Sequence, residues 1–235
     1  LHGFTAHFIV GSQRLKVILG AAVLKNDHTG EYIREKLTEM IHEWNISNKL
    51  FLIMRDNAPN MICAIRGKYE SLGCVAHTLQ LVINDALFTE QRIEEVIKNC
   101  RKIVGHFRHS EQVSRKLKNC QKQCGLPTHS LLQDIEVRWN STYLMLQRLS
   151  EQKRAVNLYS VEQGGINTLS SSDWNLINDI TNVLKFFYEA TLDMSSDNAC
   201  ISIIIPLISL LNRKLQNRYD NETEEVVFDT RLMNF

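Results

Sequence analysis

The chain has 235 residues, 44% hydrophobic and 23% charged, with 27 Lys and Arg against 26 Asp and Glu and a formal charge of +1. That is the composition of a globular protein with a real core in one or two domains, and it is not the uniformly basic domain that binds nucleic acid by bulk charge. Only 3 Pro and 10 Gly occur, so a turn-dense all-β sandwich is disfavoured and long helices are expected.

Phe4 to Val10 is rich in β-branched and aromatic residues and precedes a Gly-Ser turn; Leu15 to Leu24 follows as a second strand, antiparallel to the first, giving a hairpin. Thr29 suits the cap of a helix whose apolar positions Ile33, Leu37, Met40, Ile41 and Trp44 share one face. Leu50 to Met54 is an uninterrupted apolar run of the kind found in strands covered on both sides. A short helix over Ala58 to Ile65 and a short strand over Ser71 to Ala76 complete an α/β layer with a mixed sheet.

From His77 onward the pattern is helical. Ile93, Val96, Ile97, Cys100, Val104 and Phe107 form one stripe, Gly125 and Pro127 mark a boundary, and Gly164-Gly165 mark another. Ser171 or Ser172 is placed to cap a helix through Trp174, Ile177, Leu184 and Phe187. The expected division is therefore an α/β part over 1–76 and an all-helical part over 77–235. The longest apolar stretch, Ile201 to Leu211, carries Ser and Pro and is too short to cross a bilayer. The chain starts Leu-His-Gly without Met and stops at Leu-Met-Asn-Phe, which reads as an internal piece of a longer protein.

The six cysteines are scattered too widely for a disulfide scaffold and read as reduced thiols of a cytosolic or nuclear protein. Charge is uneven. Lys98, Arg101, Lys102, Arg108, Arg115, Lys116, Lys118 and Lys122 face only Glu111, a local +7 that suits phosphates and equally suits a solvated helix face. Residues 220–229 are acidic and read as an exposed loop.

Three groups of residues could carry chemistry. Asp56 follows the apolar run at the strand's carboxyl end, where a carboxylate could hold a divalent cation or cap the next helix. Cys74 and His77 have half the spacing of a zinc site, with Cys120 and Cys124 a possible other half, or they are a buried thiol and a hydrogen-bonded imidazole. Arg138-Trp139-Asn140-Ser141-Thr142-Tyr143 combines a phosphate-binding cation with an aromatic that either stacks on a flipped base or fills the core.

Asp56-Asn57-Ala58-Pro59-Asn60-Met61, Cys74-Val75-Ala76-His77-Thr78-Leu79 and Arg138 to Tyr143, in that order, resemble the hAT transposases and their domesticated BED zinc-finger relatives. The resemblance covers Phe4 to about Leu149. It implies an RNase H-like core with a mixed sheet, interrupted by a large helical insertion, in a nuclear DNA-binding protein. It assigns Asp56 to the second carboxylate of an Asp-Asp-Glu triad that uses Mg²⁺ or Mn²⁺ when active. It also assigns Arg138 and Trp139 to DNA and leaves Cys74 and His77 as a structural motif, while Lys98, Arg101 and Lys102 are DNA-binding candidates from the basic stretch alone. Zinc is expected only in a BED finger outside this segment, as is the region for self-association. Arg55, where the family often has a small residue, is expected to pair with Asp56 and compete with a cation. With one of three carboxylates, the segment reads as a transposase-derived regulatory protein rather than an enzyme. The alternatives are a piece of an active transposase, or a helical protein-interaction module on a decayed core.

Overall fold

A computed structural model describes residues 2–22, 27–196 and 199–221. The chain forms two compact units, Leu1–Thr78 and Leu79–Phe235.

In the first unit β1 (His2–Val10) pairs antiparallel with β2 (Gln13–Ala22), with a register shift between Phe4 and Thr5. The expected end of the second strand at Val23 and Leu24 lies outside the described residues. Helix α1 (Gly30–Glu43) begins where Thr29 Oγ1 accepts the Tyr32 N–H at 3.2 Å, and it buries Ile33, Leu37 and Ile41. Trp44 is not part of that buried face: it is half exposed, and its Nε1 donates to the Leu19 carbonyl at 2.9 Å. Helix α2 (Pro59–Ile65) packs on α1, and a Cβ at Gly30 would lie 2.6 Å from the Cβ of Cys63, so only glycine allows this approach. Arg34 satisfies carbonyls at the end of α2, with Nε donating to Ala64 at 2.7 Å.

The expected mixed sheet is replaced, among the described residues, by two separate two-stranded sheets: the hairpin, and the parallel pair β3 (Ile53–Arg55) and β4 (Ser71–Gly73). The apolar run is not covered on both sides either. Phe51 is 89% exposed and Met54 is also exposed, while Leu50 and Ile53 pack against the α1–α2 core. An apolar run does not by itself say which of its residues a neighbour will cover. The second strand of the pair is shorter than its expected span because helix α3 (Val75–Ile83) starts two residues after it.

The second unit is helical. A π-helical turn (Asn84–Phe88) leads to α4 (Gln91–Arg108), α5 (Glu111–Gln123), α6 (Trp139–Glu151), α7 (Lys153–Gln163), α8 (Ser171–Ser195) and, after a 3₁₀ turn at Ile201–Ile203, α9 (Ile204–Asn221). The expected stripe on α4 is buried in full, joined by Ile103. Helix α6 packs on α8 and α4, α5 on α7 and α4, and α9 on α8. The α8 cap is Ser170, one residue before the expected pair: its hydroxyl accepts from Asp173 N–H at 3.1 Å and its own N–H donates to Asp173 Oδ2 at 2.8 Å, a reciprocal capping box. Of the acidic 220–229, Asp220 and Asn221 end α9 and the rest lies outside the described residues.

Candidate nucleic-acid interface

The residues singled out from the sequence fall into two places, one in each unit. In the first, β3 ends at Arg55, so Asp56 stands at the strand's carboxyl end. Its side chain is exposed, and Oδ1 accepts the Ala58 N–H at 3.1 Å, forming the turn into α2. Arg55 does not pair with this carboxylate: its Nη1 donates to the backbone carbonyl of Asp56 at 3.0 Å and reaches Asn57 Oδ1 at 3.5 Å. Asn57 in turn donates to Thr78 Oγ1 at 3.0 Å, and a Cβ at Gly73 would overlap its Oδ1.

Cys74 works through its backbone. Its N–H donates to the Arg55 carbonyl at 2.6 Å, continuing the parallel ladder, and its carbonyl accepts the Thr78 N–H at 3.0 Å, opening α3. His77 lies on the first turn of that helix and is partly buried.

Among the described residues, no three of His, Cys, Asp and Glu come together as a metal would require. Burial raises the Cys120 thiol, as does neighbouring Glu162, which disfavours the thiolate that zinc needs. Cys100, fully buried on α4, is pushed up to about 12 by burial. At Asp56 Oδ1 accepts from Ala58, and among the described residues no two further His, Cys, Asp or Glu gather with it.

The second place centres on the loop between α5 and α6. Asp134 is buried there and accepts from Arg101 Nε at 3.1 and 2.9 Å, from Thr142 Oγ1 at 2.9 Å and from Gln133 Nε2 at 3.1 Å. Burial alone would raise its pKa, but the bonds from Arg101 and Thr142 outweigh that and hold the carboxyl below the usual range. The same loop is tied down at Gln121 Nε2 to the His129 carbonyl (2.8 Å) and Arg148 Nη1 to the Ser130 carbonyl (2.9 Å). Ser141 Oγ accepts the Ile135 N–H at 2.8 Å and donates within reach of the Arg138 carbonyl at 2.7 Å, and the Arg138 N–H closes the turn on the Ile135 carbonyl at 2.8 Å.

This arrangement changes the roles expected for the Arg-Trp segment. Trp139 is 1% exposed and belongs to the helical core, so in this structure its ring is closed to a base. The indole is large and apolar, and α6 packs on α4 and α8. Tyr143 is buried against Tyr188, ring centroids 4.9 Å apart. The backbone N–H of Trp139 finds Gln80 Oε1 at 3.3 Å in place of a side-chain cap from Arg138. Arg138 itself is exposed beside Val137, which is 75% exposed.

The basic stretch is also sorted by the fold. Arg101 is withdrawn from the surface set by its pair with Asp134, whereas Lys98 and Lys102 are exposed. Asp134 went unnoticed in the sequence because a lone acid in a loop has no periodic signature. Its local partners are Gln133 beside it and Thr142 eight residues on.

The chain is thus an α/β unit with a hairpin and a parallel strand pair, followed by a helical unit with exposed cations. Residues 3–73 match the family described as the ZBED1 RNase-like domain, and residues 72–183 match the ZBED1 RNase-like helical domain. The chain belongs to the BED zinc-finger proteins derived from hAT transposases. It is 30% identical to zinc finger BED domain-containing protein 4 of Homo sapiens over 92% of this chain and 18% of that protein. It is 33% identical to zinc finger BED domain-containing protein 6 of Homo sapiens over 78% of this chain and 19% of that protein. It is 27% identical to a putative AC transposase of Zea mays over 75% of this chain and 24% of that protein. The chain thus spans about a fifth of the length of the human relatives. Among the described residues no helix is long and apolar enough to cross a membrane.

Proposed function

We propose that this chain is the body of a nuclear, transposase-derived regulatory protein that binds DNA without cutting it. Its residues 1–76 descend from an RNase H-like catalytic core and 77–235 from the helical insertion of that core. DNA lies against the helical unit at Lys98, Lys102 and Arg138. The observation that carries this reading is the sorting of the basic stretch: Arg101 is spent on Asp134, while Lys98, Lys102 and Arg138 stay exposed. Self-association is assigned to parts of the protein outside the segment. Asp56 is then a vestigial carboxylate with a turn-forming role.

The test is the affinity of the chain for a 20-base-pair duplex across a salt series. Lys98→Gln with Lys102→Gln is expected to lower the slope of log K against log salt by about 1.8, at about 0.9 per phosphate contact. An unchanged slope refutes this placement of DNA. A second reading, a piece of an active transposase, draws on the exposed Asp56 at the strand end and the likeness to the maize protein. Magnesium-dependent cleavage lost in Asp56→Ala would favour it.

A further inference from the structure

We propose that the outer face of α5 is a second phosphate-binding surface, on which Arg115, Lys118 and Lys122 follow the backbone of a bound nucleic acid. This rests on the DNA-binding reading above but concerns different residues. The buried side of α5 carries Leu117, Cys120 and Gln121, with Val113 partly covered, and the three cations occupy the opposite face. All three are exposed. From Arg115 to Lys122 the stripe runs about 10 Å along the helix at 1.5 Å per residue, close to three base-pair steps of duplex.

The one-sided charge of α5 is what sets this face apart. Several cations of α8 and α9 are matched with acids: Lys185 and Lys214 share Glu189 at 4.0 and 3.7 Å, and Arg218 reaches Asp179 at 3.6 Å. Among the described residues no ion pair involves Arg115, Lys118 or Lys122. Glu111 heads the same face in the first turn, and from Gln112 to Gln123 the helix holds no acid at all. Like charges three and four residues apart repel on a helix surface. The helix dipole favours Lys122 in the last turn but gives Arg115 and Lys118 no such reason. The uncharged positions of α5 facing solvent are Gln112, Asn119 and Gln123, whose amides suit phosphate and sugar oxygens. No large apolar side chain is exposed on α5 to anchor a protein partner, which favours a polyanion backbone over an acidic protein.

The experiment compares three forms of the 235-residue chain on one 20-base-pair duplex by fluorescence anisotropy between 50 and 200 mM salt: the unchanged chain, the α5 triple variant Arg115→Gln, Lys118→Gln, Lys122→Gln, and the α4 double variant Lys98→Gln, Lys102→Gln. Thermal melts check that each is folded; the substituted side chains are exposed, so all three are expected to melt alike. The proposal expects the α5 variant to lower the salt slope by about 2.7 at about 0.9 per phosphate contact. An α5 variant with an unchanged slope, beside an α4 variant whose slope falls, overturns the α5 surface and leaves the DNA-binding reading standing. No salt-dependent binding by the unchanged chain overturns both. Loss of binding to a poly-glutamate probe in the α5 variant, with the duplex slope unchanged, overturns it in favour of an acidic protein partner.

Discussion

The guanidinium of Arg101 holds both carboxylate oxygens of Asp134, with Nε at 3.1 and 2.9 Å and Nη2 at 2.8 Å, across 33 residues of sequence. The carboxylate side chain is 1% exposed and the arginine 26%, so the pair is desolvated mainly on the acid's side. It joins α4 to the loop that leads into the Arg-Trp segment. The loop's exposed tip, Ile135 to Arg138, is thereby presented from an anchored base instead of a free strand of chain.

Removing one partner of such a pair strands the other. Arg101→Ala is expected to cost about 3–5 kcal/mol, the usual result of leaving a buried charge unpaired, and to lower the melting temperature at neutral pH. A melt within a degree of the unchanged chain would count against the pair as the anchor of the loop.

The same pair sets an acid dependence. The Asp134 carboxyl is held below its usual range in the folded state, so its contribution is present above the unfolded value of about 3.9 and is lost as pH falls through the folded value. Asp134→Asn is expected to melt lower at pH 7 and to show a shallower fall in melting temperature between pH 5 and pH 2, the two curves converging in acid. Parallel curves over that window would contradict the assignment.

Trp139 and Arg138 are adjacent but act on different quantities. Trp139→Ala is expected to destabilise the helical unit by about 3–5 kcal/mol, as for large buried aromatics. Arg138→Ala is expected to leave the melt unchanged within about 0.5 kcal/mol while weakening duplex affinity. Denaturant melts and anisotropy on the two variants separate these effects; a stable Trp139→Ala chain that has lost DNA affinity would reverse the assignment.

Gly73 and Asn57 form a coupled position in the first unit. A Cβ at Gly73 overlaps Asn57 Oδ1, so Gly73→Ala is expected to cost about 1–3 kcal/mol by overpacking. Asn57→Ala removes the obstructing atom together with its bond to Thr78. In a double-mutant cycle the combined variant should therefore be more stable than the two losses added. Simple additivity would show that the close approach is not what requires glycine.

How far the sequence reveals this molecule depends on periodicity. The stripe Ile93 to Phe107 was readable because a buried helix face repeats every three to four residues, and the Thr29 cap because the hydroxyl's partner lies three residues away. The strand Ile53–Arg55 was readable only as an apolar run, since which of its faces is covered is decided by α1 and α2. The candidate site was readable as a list of cations and not as a surface. Arg101 counts the same as Lys98 and Lys102 in a charge tally, and its removal from the surface depends on an acid 33 residues away in a loop without repeat. Trp139 was ambiguous for the same reason: an aromatic beside an arginine fits a base or a core equally well until α6 is packed.

The claim that this body binds DNA without cutting it is tested most directly in one gel experiment, with the 235-residue chain, end-labelled duplex and Mg²⁺ present. The bound fraction and the integrity of both strands are read from the same samples at 50 and 200 mM salt. A shifted band at 50 mM salt that weakens markedly at 200 mM is expected, with both strands intact. No shift at 50 mM, or Mg²⁺-dependent nicks that vanish in Asp56→Ala, would contradict it.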